Sequence, residues 1–319
     1  YFACMAALGL LAETKNCPMT ETEQKAVGRY LDWHTGILLE TDGKMGIYRK
    51  ENGKLIYKEK ADSEDGYLGM YLFLMGKYLE KTESTDLPES WKNGISLALK
   101  KIQSLMQDGI TQVSEENTTV YLMDNLEVWK GLYELELAGL EDTQAISEIR
   151  KKIQKQIEKI FWDDANQRWR IIGNSDRYHQ TEFYPDGVAQ IYPLIYEFPV
   201  KEKKKQKVLY DQFTERFQWQ KLNKKRTGFL WAMTGMAAAQ MRDINNLVEL
   251  VGNYETEYCK KRKYPLYTGE AGWICMECVR GHRCYARFPS YRRRQCRVIR
   301  FVLPCPTGRV LLLHGMNRL

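Results

Sequence analysis

The sequence has no apolar run of about 18 residues, the length that a membrane-spanning helix needs, and no complete signal peptide. It has only four histidines, of which His34 and His179 lie outside the last 38 residues. One C-x-x-C motif, Cys275 to Cys278, has no second ligand pair, so two packed thiols are favoured over a zinc site. We therefore expect neither a membrane span nor a bound metal.

Lysine, aspartate and glutamate are absent from residues 282–319, which hold nine arginines. Taking these nine from the 48 basic residues leaves 39 against 41 acidic residues, so the net charge of +7 comes from this tail. The shift in composition predicts that 282–319 is not part of the native fold and that 1–281 forms the domain. Two alternatives stay open: an arginine-rich arm that touches nucleic-acid phosphates, and an ordered continuation through the apolar run 310–313.

Apolar residues at helical spacing predict pairs of helices, joined by short loops that carry Gly, Pro, Asp or Asn. The predicted pairs are 2–13 with 20–39, 63–81 with 88–106, 120–140 with 143–161, 187–198 with 201–218, and 228–241 with 244–259. An eleventh helix is predicted at 269–280, and its partner is missing because the arginine-rich tail follows. The chain also opens at Tyr1 directly in an apolar helical pattern, so we expect its start to be missing.

The two helices of most pairs differ in composition. The segment 228–241 carries small and aromatic residues around much of its circumference, whereas 201–218 begins with a lysine cluster. A helix that is apolar all round is buried on every side, and a helix with one charged face lies against solvent. The alternation predicts an inner and an outer ring of helices. An irregular helical domain or an α-solenoid is the alternative, but the unequal spacing of the pairs argues against a regular repeat.

Two segments depart from helical spacing and predict short β-ribbons. Residues 45–58 place aromatic and β-branched residues around Asn52-Gly53, a strong hairpin signal, and residues 161–172 have a similar pattern around a turn rich in Asp and Asn. This second turn, Asp163-Asp164-Ala165-Asn166, could hold calcium, but a β-turn of this composition needs no ion.

Carboxylates recur at the beginnings of the predicted inner helices, each beside aromatic residues. They are Asp62, Glu64, Asp65, Asp124, Glu182, Asp186 and Glu270. If the inner helices run parallel around a ring, their N-termini open at one end and these carboxylates converge there. Helix capping is the alternative, and it applies best to Asp62 with Ser63 and to Asp186. Asp124 lies in an apolar stretch, where an unpaired carboxylate is costly.

Paired carboxylates in an aromatic cleft suit glycoside hydrolysis, in which one acid protonates the leaving oxygen while another activates water or attacks directly. Burial and a neighbouring like charge raise the pKa of one carboxyl group above that of the other. Sugar rings pack their C–H faces on aromatic rings, although any one of these rings could instead belong to the core. The expected substrate-binding residues are Tyr67, Tyr121, Asn125, Trp129, Glu182, Tyr184, Glu270 and Trp273, with Phe183 at the same mouth.

These features resemble the six-hairpin glycosidase-like superfamily, the (α/α)6 toroids that include unsaturated glucuronyl hydrolases and cellulase-like enzymes. The resemblance rests on the helix pairs, the helix opening Asp62 to Tyr67, the segment Tyr121 to Trp129 and the turn Phe161 to Asp164. It covers residues 1–281 and implies an all-α toroid with short β-ribbon insertions, incomplete at the C-terminal hairpin. It also implies that Asp65 and Asp124 carry catalysis, with Asp62, Glu64 and Asp186 as supporting acids.

The expected function is therefore hydrolysis of an oligo- or polysaccharide by direct attack of water. Asp124 is the expected general acid or base and Asp65 its partner, while Asp62 or Asp186 positions water. A sugar epimerase on the same fold is one alternative, and it would need histidines such as His34 and His179 for proton transfer. A degenerate carbohydrate-binding protein without activity is the other.

No cofactor is expected, and the expected partner is a carbohydrate, with no nucleic acid and no membrane. The chain is expected to act as a monomer. Unpaired cysteines favour a cytoplasmic location, while a lost leader could have directed secretion.

Overall fold

A computed structural model of the chain describes residues 1–12, 18–51, 54–83, 86–140, 143–175, 182–227, 233–254 and 256. Several predictions lie outside these residues: the helix at 269–280, the Cys275 to Cys278 motif, Glu270, Trp273, His179 and the tail 282–319. The chain divides into two compact units. The first contains Tyr1 and the described part of 24–177, and the second contains the described parts of 2–23 and of the chain from 178 onward.

The described helices and strands follow the predicted order closely. In chain order they are α1 (Phe2–Leu11), α2 (Glu21–Glu40), β1 (Gly46–Glu51), β2 (Lys54–Lys60), α3 (Glu64–Thr82), α4 (Glu89–Leu105), β3 (Met106–Gln107), β4 (Ile110–Thr111), α5 (Leu122–Leu137), α6 (Thr143–Phe161), β5 (Trp162–Asp163), β6 (Arg168–Trp169), α7 (Val188–Ile195), α8 (Lys203–Phe217), α9 (Lys224–Thr227), α10 (Met233–Met241) and α11 (Ile244–Tyr254). A kinked turn, Phe183–Gly187, precedes α7, and a 3-10 turn, Trp219–Lys221, follows α8.

The alternation of inner and outer helices is confirmed in the burial of the first unit. Helices α3 and α5 are buried around most of their circumference. Their chain neighbours α4 and α6 bury one stripe each, such as Ile146, Ile149, Ile153 and Ile157 in α6. The second unit repeats the contrast, because α7 and α10 are almost wholly buried while α8 and α11 bury one face.

Glycines bring α3 and α5 unusually close together. A Cβ atom placed on Gly131 would lie 2.3 Å from the carbonyl oxygen of Gly69, and one on Gly76 would lie 2.6 Å from the backbone of Glu134. Side chains at these positions would force the helices apart, so glycine is what lets the two backbones touch. The close contact fixes the spacing of the residues that the two helices carry.

Two ion pairs meet at Glu134 of α5 further along the same helices, one within α5 and one that reaches α3. Lys130 and Glu134 are 1% and 2% exposed, and their Nζ and Oε1 atoms are 2.6 Å apart. Lys77 of α3 lies 2.7 Å from the other carboxylate oxygen of Glu134. The Lys130 ammonium also lies 5.0 Å from the centre of the Tyr133 ring. Two cations therefore compensate this buried carboxylate.

Both predicted ribbons are present, and a third was missed. Strands β1 and β2 pair antiparallel, and so do β5 and β6. The unpredicted ribbon pairs β3 with β4 around Asp108 and Gly109, whose φ angles of 51° and 84° place both residues in the left-handed region. Asp-Gly is a strong hairpin signal, so the sequence did contain the information.

One helix boundary differs from its prediction for a clear reason. Helix α5 begins at Leu122 rather than at residue 120, because the segment before it pairs with the chain after β6. Tyr121 forms an antiparallel bridge with Ile172, and the Leu122 N–H donates to the Ile171 carbonyl at 2.9 Å. Throughout the described ranges, no helix is long and apolar enough to cross a membrane.

Candidate active site

The N-terminus of α3 is held by a serine cap. Ser63 has an extended backbone, and its hydroxyl accepts a hydrogen bond from the Gly66 N–H at 3.3 Å. The Glu64 N–H donates to the Val113 carbonyl at 2.9 Å, which ties the helix start to the loop after β4. Asp62 lies before the helix and is exposed, so the cap is Ser63 and not Asp62.

Asp65 lies in the first turn of α3 and is fully buried. Its Oδ1 accepts hydrogen bonds from the Ser63 hydroxyl and the Gly66 N–H, both at 2.9 Å. Its Oδ2 accepts one from the Thr111 hydroxyl of β4 at 2.7 Å. Burial raises the pKa of Asp65 to about 6, although these three donors oppose the rise. The carboxyl group therefore titrates near neutral pH and is well supported when ionised.

Asp124 lies in the first turn of α5 and is half-buried as a residue, with its Oδ2 atom inaccessible to solvent. This oxygen has no hydrogen-bond partner among the residues that the structure describes. Burial, and then the negative charges of Asp65 and Glu127, raise the pKa of Asp124 well above its usual range, while the nearby Ser63 hydroxyl opposes the rise. Burial and the neighbouring negative charges therefore favour the protonated form of Asp124.

Gly66 is the point at which these groups converge. A Cβ atom on Gly66 would lie 2.8 Å from Glu127 Oε2, 2.9 Å from Ser63 Oγ and 3.4 Å from Asp124 Oδ1. The charges of Asp65 and Glu127 both raise the pKa of Asp124, so these carboxyl groups lie within electrostatic reach of it. The predicted convergence of Asp65 and Asp124 is present within the first unit.

Aromatic residues of the first unit lie beside this cluster. The Tyr1 hydroxyl donates a hydrogen bond to the Glu127 carboxylate. The ring of Tyr67, a predicted substrate-binding residue, is half-buried with its centre 5.8 Å from that of Tyr1. Tyr67 is therefore placed next to the acidic cluster, and its contact with a sugar stays a prediction.

Asn125 is completely buried and joins α5 to the β3–β4 ribbon. Its Oδ1 accepts the Thr111 N–H at 2.9 Å, and its Nδ2 donates to the carbonyls of Thr111 and Tyr121, both at 2.9 Å. Both amide hydrogens are engaged inside the protein, so Asn125 positions Thr111. Its predicted contact with substrate gains no support from this arrangement.

Trp129 and Tyr121 occupy different surroundings. Trp129 is 2% exposed, stacks on Tyr133 with ring centres 5.4 Å apart, and donates its Nε1–H to Gln154 at 3.3 Å. These contacts are those of a core residue, the alternative that the sequence left open. Tyr121 is half-buried and precedes the first turn of α5, beside the carboxylate-bearing end.

Three predicted site residues lie in the second unit, at the kinked turn before α7. Asp186 is 2% exposed, and its Oδ2 accepts the Glu182 N–H at 3.2 Å. Its Oδ1 is buried and has no hydrogen-bond partner in the described part of the chain. Glu182 is exposed, and Tyr184 is 47% exposed. Asp186 therefore holds the turn by accepting the Glu182 N–H, but it is not the N-cap of the turn or of α7, the position that the capping alternative had given it.

Two residues of the cluster, Thr111 and Glu127, were not singled out from the sequence. Glu127 follows Asp124 by three residues and therefore shares its helix face. This spacing could have identified Glu127 from the sequence. Thr111 depends on the third ribbon, and without the Asp108-Gly109 turn nothing indicated that it would approach Asp65.

His34, a candidate for proton transfer in the epimerase alternative, lies in an aromatic core. It is 6% exposed, and its ring centre is 5.1 Å from that of Tyr71 and 5.5 Å from that of Tyr30. Burial lowers the pKa of His34 to about 3, so the ring is neutral. This environment does not favour a proton-transfer role for His34.

Metal ligation has no candidate cluster in the ranges that the structure covers, where no group of three or more His, Cys, Asp or Glu side chains is suitably arranged. In the turn that could hold calcium, Asp163 Oδ1 accepts the N–H groups of Ala165 and Asn166 at 3.0 and 3.2 Å. Asp163 Oδ2 accepts from the Asn166 amide at 2.9 Å. Both carboxylate oxygens of Asp163 therefore accept hydrogen bonds within the turn, as an Asp-rich β-turn does without an ion.

The sequence matches no protein-family profile and no curated protein. The structure is similar to a GH78 family rhamnosidase of Bacillus sp. GL1, with a TM-score of 0.52 and 11% sequence identity over 87% of this chain. The chain spans only 31% of the length of that rhamnosidase.

A wild-type glycosidase gives a TM-score of 0.51 with 10% identity, covering 99% of this chain and 86% of its own. A variant glycosidase in complex with glucose gives the same values. At such identities the likeness establishes the fold alone. The chain has the six-hairpin glycosidase-like fold predicted from its sequence, an all-α toroid class, and the structures that share it here are carbohydrate-active enzymes.

Proposed function

We propose that this chain is a glycoside hydrolase that acts on an oligo- or polysaccharide and uses Asp124 to transfer a proton to the leaving oxygen. The observation that carries the proposal is the half-buried carboxyl group of Asp124, whose pKa is raised by burial and by the charge of Asp65. An acid that keeps its proton near neutral pH is what cleavage of a glycosidic bond requires.

Asp65 has a different role in this proposal. It is fully buried, so it does not reach substrate, and it acts through its charge on Asp124. Asp62 is exposed at the turn before α3, and its charge contributes to the raised pKa of Asp124, so it lies within electrostatic range. We assign Asp62 to the positioning of water. Asp186 lies in the second unit, and its role in positioning water stays a prediction.

The fold supports the carbohydrate as substrate. The similar structures are a rhamnosidase and a glycosidase, one of them solved with glucose. The sugar and linkage stay open, so a panel of reducing-end-labelled oligosaccharides is the first assay. His34, which is buried in an aromatic core, does not favour the epimerase alternative, and His179 lies outside the described residues.

The test is replacement of each acid by its amide. Asp124→Asn should lower kcat by about 10²–10⁴-fold, the usual contribution of general acid catalysis, because the amide has no proton to give. Asp65→Asn should lower kcat less, since it leaves the proton donor in place and removes only the charge behind it. Asp108→Asn, on the exposed turn of the β3–β4 ribbon, is the matched control and should retain full activity.

Helical circular dichroism must persist in all three variants for the comparison to hold. Undiminished release of reducing ends by the double variant Asp65→Asn with Asp124→Asn would rule the proposal out. Retention of labelled sugar by the wild type with no product under any condition would favour the degenerate binding protein.

A further inference from the structure

Three hydrogen-bond donors reach the Asp65 carboxylate, and only one of them is a side chain that serves Asp65 alone. The Ser63 hydroxyl lies beside both Asp65 and Asp124, so it stabilises negative charge on either. The Gly66 N–H is backbone. The Thr111 hydroxyl contacts Asp65 Oδ2 at 2.7 Å, so it distinguishes Asp65 from Asp124.

The direction of the Thr111 hydrogen bond follows from its surroundings. The hydroxyl oxygen is 2.8 Å from Asn125 Oδ1 as well as 2.7 Å from Asp65 Oδ2, and it has one hydrogen to donate. The Asn125 amide cannot be turned to offer a donor, because Nδ2 already donates to two carbonyls and Oδ1 accepts the Thr111 N–H. Whenever Asp65 is ionised, its carboxylate is a stronger acceptor than the amide, so the hydrogen goes to Asp65 and stabilises that ionised form.

The charged groups around Asp65 do not favour its ionised form. The turn before α3 contributes Asp62, α3 contributes Glu64, and α5 contributes Asp124 and Glu127, all of them acidic. Strand β4 contributes the uncharged Thr111. Within the described part of the chain, no lysine or arginine is ion-paired with Asp65. Neutral donors alone therefore support the negative charge on this carboxylate.

We propose that Thr111 is the positioning residue that places the negative charge on Asp65 and thereby keeps the proton on Asp124. The consequence for turnover rests on the proposed hydrolase function, whereas the effect on the two carboxyl groups does not. Thr111 acts without touching substrate: it holds Asp65 ionised, and the charge of Asp65 holds Asp124 protonated.

The experiment is a ¹³C NMR titration of the aspartate carboxyl carbons in the full chain, with Asp65 and Asp124 assigned from their Asn variants. Thr111→Val keeps the shape and the backbone bonds to Asn125 and removes the hydroxyl. We expect the Asp65 titration to move up by about one pH unit and that of Asp124 to move down, because Asp65 loses a donor and Asp124 loses repulsion. Thr111→Ser, which restores the hydroxyl, should return both to their wild-type positions.

Opposite shifts in the Asp65 and Asp124 titrations distinguish this positioning role from a purely structural one. If Thr111 only held the ribbon in place, its loss would admit water and lower both titrations together, and that result would overturn the proposal. Unchanged titrations in a folded Thr111→Val protein would overturn it too. Thr118→Val, on an exposed threonine of the following loop, is the matched control and should move neither signal. Thr111→Ala serves as a second variant if the valine impairs folding.

Turnover tests the proposed function separately. In an active enzyme, Thr111→Val should shift the alkaline limb of the kcat/KM profile to lower pH, because Asp124 gives up its proton earlier. Opposite NMR shifts without hydrolysis of any glycoside would support the role of Thr111 and count against the hydrolase.

Discussion

The two ends of the α3–α5 pair bury carboxylates in opposite ways. At one end Glu134 lies between Lys77 and Lys130, with contacts of 2.7 and 2.6 Å, so its charge is compensated by cations. At the other end, within the described residues, Asp65 and Asp124 are surrounded by hydroxyl and backbone donors, by each other, and by the acidic Glu127 and Asp62. The two helices are the same and both ends hold a fully buried carboxyl group, Glu134 or Asp65, but only Glu134 is compensated by cations.

This difference separates a structural site from the site that we propose is reactive. A buried ion pair is stable to small pH changes because each partner satisfies the other. Carboxylates buried beside one another cannot all be ionised, so one retains a proton near neutral pH and can donate it. Burial alone therefore does not indicate function, whereas burial without a cation does.

The ion-paired end should respond most strongly to loss of charge. Glu134→Gln leaves the almost completely buried Lys130 without its anion, and we expect a loss of about 3–5 kcal/mol in the free energy of unfolding, measured by urea denaturation. Glu80→Gln, which breaks a partly exposed pair with Lys77, is the control and should cost at most about 1 kcal/mol. Equal costs in the two variants would remove the distinction between the buried and the exposed pair.

A substitution in the middle of the α3–α5 pair tests whether the close packing of the two helices fixes the residues at both ends. Gly131→Ala places a methyl group 2.3 Å from the Gly69 carbonyl oxygen and should cost about 1–3 kcal/mol, seen as a lower Tm. It should also lower activity, because the helices that carry Asp65 and Asp124 must separate. Gly36→Ala in α2 meets no atom within 4 Å and should be neutral or stabilising. A Gly131→Ala protein as stable as the wild type would show that the close contact is dispensable.

The acidic end should gain stability when its charge is removed. The native pKa of Asp124 is raised, so the native state holds a proton that the unfolded chain releases above about pH 4, and stability falls as pH rises through that range. Asp124→Asn should therefore stabilise the protein by about 1–2 kcal/mol at pH 7 and by nothing at pH 4. Urea denaturation at both pH values measures this, and a variant less stable than wild type at pH 7 would contradict the raised pKa.

The spacing of apolar residues in the sequence was enough to predict the fold. Helices such as α3 and α5 carry small and apolar residues all round, while α6 carries one isoleucine stripe, and this contrast needs no coordinates to detect. The glycines at 69 and 131 were visible as well, but their role was not, because a close backbone approach depends on a partner helix that the sequence does not place.

The site was predictable only in part. Asp65 and Asp124 follow from their positions at helix starts, since capping geometry and a common helix direction bring such residues together. The donors could not be foreseen in the same way, because Thr111 reaches Asp65 across 46 positions of the chain through the third ribbon. Trp129 was predicted to bind substrate, but it packs in the core. An aromatic residue near a candidate acid in the sequence can serve either role, and the sequence does not show which.

The neutral imidazole of His34 gives the first unit a built-in acid sensitivity. With a native pKa of about 3, His34 stays uncharged while the unfolded chain takes up a proton below about pH 6.5, so acidification favours unfolding. Between about pH 4 and 6.5 this trend opposes that of the paired aspartates, whose burial is easiest in acid. The buried histidine and the hydroxyl-lined carboxylates thus oppose each other, and the stability of the unit should vary less across mild acid than either feature alone would make it vary.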